Sequence, residues 1–154
     1  MIECKYYKSG FTLIEFMMVV AVLGIAVAVA IPSIKNSFVK SEVSSAQHDI
    51  VQSLKKAKQF AKTLNTNVTV TLVNNVITYS LPDGSNQLPD GTSMAEVILP
   101  SRVNVSTGNG NNSHSFNALG MVSSVDVITV TSAEDITVKK TITILNLFGQ
   151  MQVD

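Results

Sequence analysis

Cysteine is nearly absent from this chain. Its one cysteine, Cys4, can close no intramolecular disulfide, so a small disulfide-stapled fold is excluded. Charge of one sign is also lacking. The 11 basic and 11 acidic side chains give a formal charge of zero, and no global field argues for nucleic acid or acidic substrates. There are only two histidines, His48 and His114, far apart and without clustered carboxylates. A metal site needs three or four convergent ligands, so both read as structural or surface residues, and no metal or other cofactor is expected. No Ser/His/Asp or Cys/His set stands in a supporting context, and no enzymatic role is expected. The Gly/Asn stretch at 107–113 has no lysine and no following helix, which excludes a phosphate cradle.

What is present is a long apolar run. Residues 11–31 contain one charge, Glu15. As a helix these 21 residues are about 31 Å long at ~1.5 Å per residue, close to the ~30 Å hydrocarbon thickness of a bilayer. The run is too long for an ordinary secretory signal, and Ile31-Pro32-Ser33-Ile34 offers no Ala-x-Ala site after it. Lys5 and Lys8 precede the run and should hold the N-terminus in the cytoplasm, leaving residues 33–154 outside the inner membrane. A carboxylate inside such a span costs up to a few kcal/mol, so Glu15 needs a cationic partner.

Lys8-Ser9-Gly10-Phe11-Thr12-Leu13-Ile14-Glu15, followed by that run, resembles the processing site of type IV prepilins and type II secretion pseudopilins. The resemblance implies cleavage between Gly10 and Phe11 by a membrane prepilin peptidase, which is also the methyltransferase that N-methylates Phe11. Glycine suits the position before the cut, because without a Cβ the scissile backbone enters a tight site in extended form. The resemblance also gives Glu15 its partner, the Phe11 amino group of a neighbouring subunit during filament assembly; paired, two costly charges become tolerable. Gly24 and Pro32 bracket a segment similar to the stretch where pilin helices loosen within filaments, and both residues weaken helices. Cleavage removes Cys4, Lys5, Lys8 and Glu3, leaving a cysteine-free chain of formal charge −1.

Past Pro32 the pattern is amphipathic. Val39, Val43, Ala46, Ile50, Leu54, Ala57, Ala61 and Leu64 recur at spacings of three and four, which predicts a helix to about Leu64 with Asn65 or Asn67 as its stop. From Asn67 the period becomes two. Residues 68–73 and 76–81 around Asn74-Asn75 read as a hairpin. Pro82-Asp83-Gly84 and Pro89-Asp90-Gly91 read as turns rather than Ca²⁺ ligands. Further strands are expected at 95–99, 102–105, 114–122, 125–131, 137–145 and 147–153. The fold class is therefore α+β: a long N-terminal helix under a C-terminal antiparallel head of two small sheets. The expected divisions are a leader at 1–10, a transmembrane and filament-core helix at 11–32, an amphipathic helix at 33–65 and a β-rich head at 66–154.

Ser115-Phe116-Asn117-Ala118-Leu119-Gly120 and the closing stretch at 142–153 resemble the head of GspH/FimT-like minor pilins and pseudopilins. Some FimT-like proteins bind DNA through a closing Gly-Arg-x-Arg motif; here the matching residues are Gly149-Gln150-Met151-Gln152. Gln150 and Gln152 can hydrogen-bond a phosphate but cannot neutralise it. Lys55, Lys58 and Lys62 share one helix face near Lys56. They form either a weak basic contact for DNA or a partner, or a solvated face whose cations suit the helix C-terminus; the lack of interleaved aromatics favours the second. The resemblance implies a structural minor pilin that helps assemble or prime a type IV pilus. Its partners would be other pilin subunits, the prepilin peptidase and the inner-membrane assembly platform. The alternatives are a minor pseudopilin of a type II secretion system and a DNA-binding pilin.

Overall fold

The computed structural model describes residues 10–108, 110, 112–145 and 148–154, and for residues 29–33 the backbone alone. The elements are α1 (Leu13–Leu64), β1 (Val68–Val73), β2 (Val76–Ser80), β3 (Val97–Ile98), β4 (Val103–Thr107), β5 (Ser113–Phe116), β6 (Asp126–Ser132), β7 (Lys139–Ile144) and β8 (Met151–Val153). The class is α+β, as the switch from period 3.6 to period 2 predicts. The chain divides into two compact units between Ser37 and Phe38.

In the first unit the apolar side chains of Leu13, Ile14, Phe16, Met17 and Met18 are all exposed, and so are Val22, Leu23 and Ile25 one turn and more further on. A helix this apolar, uncovered by its own chain, has to be covered by lipid or by other chains. Among the described residues no helix is long and apolar enough to cross a membrane. The reading of 11–32 as a span rests on the sequence, where the run continues to Ile31. α1 is helical through both Gly24 and Pro32, so the structure shows no break at the helix-weakening residues.

In the second unit the predicted stripe is the buried face of the helix. Val39, Val43, Ala46, Ile50, Leu54, Ala57 and Ala61 are all buried, and Val51 joins them. Burying each Ile or Leu contributes about 1.5–3 kcal/mol. Asn65 ends α1 in the left-handed region (φ 51°). The Thr66 N–H then donates to the Ala61 carbonyl at 3.2 Å, satisfying one of the carbonyls orphaned at the helix end.

The strands form two antiparallel sheets, in the orders β3-β2-β1-β5 and β4-β6-β7-β8. The β1–β2 hairpin pairs Val73 with Val76 across Asn74-Asn75, whose φ values of 50° and 62° fit a two-residue turn of the mirror-image type. Val68, Val70, Ile77 and Phe116 of the first sheet meet Val103, Ile128, Val130, Ile142 and Ile144 of the second in one core with α1. Alternation along β1 and β6 separates these residues from outward threonines.

Several strand boundaries differ from expectation. The strand expected at 114–122 stops at Phe116, because Asn117 folds the chain into a tight turn. Its side-chain oxygen accepts from the Leu119 and Met121 N–H groups at 3.0 and 2.9 Å, and its backbone carbonyl accepts from the Gly120 N–H at 2.7 Å. The strand expected at 95–99 is only Val97–Ile98. The last one shortens to Met151–Val153, behind a Gly149 turn at φ 63°, and residue 147 lies outside the described residues.

Candidate functional site

The first candidate site is the start of α1. Gly10, Phe11 and Thr12 lie outside regular structure, and Gly10 and Phe11 are exposed, Phe11 by 82%. Thr12 is the helix N-cap. Its Oγ1 accepts from the Glu15 N–H at 3.3 Å, and its carbonyl accepts from the Phe16 N–H at 3.2 Å. Thr12-Leu13-Ile14-Glu15 thus has the Thr-x-x-Glu pattern of a capping box, a signal present in the sequence but missed there. Glu15 also places a carboxylate in the first turn, where the helix dipole favours it. A Cβ at Gly10 would meet nothing within 4 Å. Among the described residues, then, no packing requires glycine there.

The second candidate, the lysine face with the closing hairpin, is brought together in part. Lys58 Nζ donates to the Phe148 carbonyl at 2.7 Å and, more weakly, to the Gly149 carbonyl at 3.5 Å. A Cβ at Gly149 would sit 3.2 Å from the Phe116 ring, and one at Gly120 would collide with the Lys62 side chain. Phe116, Gly120, Gly149, Lys58 and Lys62 therefore form one packed knot, which gives Phe116-x-x-x-Gly120 a physical reason. Lys58 spends its charge on loop carbonyls. Lys55 and Lys62 are exposed, as are Gln150 and Gln152, and Gln152 Nε2 lies 3.5 Å from Asp154 Oδ1.

The remaining candidates behave as the local chemistry dictates. Asp83 and Asp90 accept from the Ser85 and Thr92 N–H groups, each at 2.9 Å, in two turns of the same Leu-Pro-Asp-Gly-(Ser/Thr) sequence. Those hydrogen bonds hold both carboxyls below their ordinary value. Among the described residues no group of His, Cys, Asp and Glu could hold a metal ion. His48 contacts Gln52 one turn on, at 2.7 Å. His114 is buried beside Asp126, a pairing with no local signal in the sequence. Gln47 is buried too. Its Nε2 donates to the Thr141 and Asp154 carbonyls at 2.9 and 3.0 Å and ties α1 to β7 and to the residue that follows β8.

Residues 5–31 match the prokaryotic N-terminal methylation motif. A 48-residue stretch is 46% identical to the type IV major fimbrial protein FimA of Dichelobacter nodosus. That match spans about a third of either chain, 31% of each. The fold is similar to that of the type IV minor pilin FimU of Pseudomonas aeruginosa, with a TM-score of 0.61 at 12% identity over 74% of this chain and 89% of that one. It is similar also to the minor pseudopilin EpsH of the type 2 secretion system of Vibrio cholerae, with a TM-score of 0.58 at 12% identity over 73% and 96%. The N-terminal segment therefore carries a methylation motif, and the fold is similar to those of a minor pilin and a minor pseudopilin.

Proposed function

We propose that this chain is a minor pilin, a structural subunit that helps assemble or prime a type IV pilus. The observation that carries the reading is the junction at Gly10–Phe11. A methylation-motif segment places its scissile bond in exposed, non-helical chain directly before a capped helix, so a peptidase reaches it without unwinding α1. Residues 11–32 lie in the inner membrane before assembly, with the head in the periplasm, and in the filament core afterwards. There the Glu15 carboxylate neutralises the methylated Phe11 amino group of an adjacent subunit, and the helix loosens between Gly24 and Pro32. Partners are other pilin subunits, the prepilin peptidase and the assembly platform.

Mass spectrometry of the N-terminus tests this reading. The expected species begins at Phe11 and carries one extra methyl group, and Gly10→Val retains residues 1–10. A chain that is cleaved normally in Gly10→Val would falsify the processing step.

A second reading, a minor pseudopilin of a type II secretion system, is supported by the likeness to EpsH over nearly the whole of that chain. Deletion of the gene separates the two: loss of surface pili supports the first reading, and loss of secreted enzymes with intact pili supports the second. For DNA the Gln150 and Gln152 surface offers no cation, and the engaged Lys58 offers little.

A further inference from the structure

A groove lies between the second-unit part of α1 and the segment that leads into β7. Lys40, Ser41, Val43 and Ser44 line one wall, and residues 137–140 line the other, around a cavity of about 560 Å³. Three ammonium groups, those of Lys40, Lys139 and Lys140, stand around it, all exposed. Val43, buried, forms its apolar floor with the half-buried Val138. Asp135 carries a carboxylate near Lys40. Hydrogen bonds from Thr137 chiefly, and the Lys40 charge as a smaller cause, hold it below its ordinary value. Three ammonium groups thus gather at one groove of a chain whose formal net charge is zero.

The cavity has the size of a small-molecule site and suits one compact anion with an apolar attachment. A nucleic-acid surface would need a track of cations following many phosphates, and this groove is short, with eight residues lining it. Lys40 follows Ile31 by nine residues. Even fully extended, that much chain spans only about 30 Å. If residues 11–31 are in lipid, the groove is held within that distance of a bilayer surface and its phospholipid headgroups. We propose that this groove binds the phosphate headgroup of an anionic phospholipid, with the lysines on the phosphate and Val43 and Val138 against the glycerol. This rests on the membrane reading of residues 11–31. It implies a head tethered to its bilayer before extraction into a filament.

The test uses the full chain in neutral detergent micelles, followed by amide NMR at residues 40–44 and 137–140. Dihexanoylphosphatidylglycerol should shift these amides and bind at least tenfold more tightly than dihexanoylphosphatidylcholine or inorganic phosphate. Lys139→Gln/Lys140→Gln should weaken it by about 25-fold, at roughly fivefold per lysine, and the double arginine variant should restore it. Equal response to inorganic phosphate, tighter binding of a duplex oligonucleotide at these residues, or no shift would each overturn the proposal. Alkaline carbonate extraction of the native chain from cell membranes tests the span separately, because it reads on residues 11–31 and not on the groove.

Discussion

His114 Nε2 lies 3.7 Å from Asp126 Oδ2, and both side chains are 1% exposed. His114 is on β5 of one sheet and Asp126 on β6 of the other, so the pair bridges the two sheets inside the core. Among the described residues neither ring nitrogen has a hydrogen-bond partner. Burial pushes the imidazole below its ordinary value of 6.5, and the Asp126 charge opposes this only in part. The folded head therefore holds His114 neutral near pH 7.

A pH dependence follows. The folded pKa lies below the unfolded one, so between the two values the unfolded chain binds more protons and stability rises with pH. Stability should be complete above about pH 7 and fall as the pH drops below 6.5, by at most about 1.4 kcal/mol per pH unit. Thermal unfolding of the head, followed by tyrosine near-ultraviolet circular dichroism between pH 5 and 8, reads this. The slope should flatten in His114→Leu; an unchanged slope would assign the acid sensitivity to other groups.

The Phe116–Gly149 knot yields a graded series. Gly149→Ala forces a Cβ to 3.2 Å from the Phe116 ring at a φ of 63°. Gly84→Ala has a similar φ of 80° and open space around it. The strain common to both is about 1–2 kcal/mol, so the excess loss in Gly149→Ala measures the crowding. Lys58→Met, which leaves the Phe148 carbonyl without its ammonium, should cost about 1 kcal/mol. Lys55→Met should stay within about 0.5 kcal/mol. Urea unfolding midpoints decide the order; equal losses for Lys55→Met and Lys58→Met would show that the Lys58 contact contributes nothing.

Gln47 should be intolerant for a different reason. It is a polar residue on the buried face, serving two backbone carbonyls at once. Gln47→Leu keeps the volume but removes the second hydrogen bond to each of the Thr141 and Asp154 carbonyls, which still accept from one another's N–H groups at 3.1 Å; the loss should be about 1 kcal/mol for each bond. Gln47→Glu should be worse at neutral pH, since a carboxylate oxygen would face those same carbonyls. Hydrogen exchange at β8 should accelerate in both variants before global unfolding changes; uniform acceleration across the head would mean that Gln47 does not specifically pin the last strand.

The helix and the first hairpin were legible because their signals are local. Val39 to Ala61 repeat at helical spacing, Asn65 tolerates the left-handed stop, and Val68 to Val73 alternate around a turn that asparagines favour. The division of strands between sheets was not legible. β5 joins β1 of the first sheet, whereas β4 and β6 pair in the second, and no residue within those strands encodes such a choice. The overextended strand at 114–122 failed on turn chemistry, since Asn117 and Gly120 outweigh the apolar Leu119 and Val122. His114–Asp126 and Lys58–Phe148 join residues far apart in the chain, and spacing carries no trace of them.

At the N-terminus, the backbone and the side chain of Glu15 can be tested separately. Its backbone N–H completes the Thr12 cap, and this bond is indifferent to the side chain of residue 15. Its carboxylate is the group proposed to meet a neighbouring Phe11 amino group. Glu15→Gln keeps the cap and a nearly identical shape while removing the charge. It should be cleaved like the native chain yet fail to enter filaments, as counted in sheared pili. Thr12→Val does the reverse, losing about 1 kcal/mol of capping while the carboxylate stays. It should still enter filaments, with faster amide exchange confined to the first turn of α1. If Glu15→Gln enters filaments as well as the native chain does, then Glu15 serves only the helix start, and the charge needs no partner.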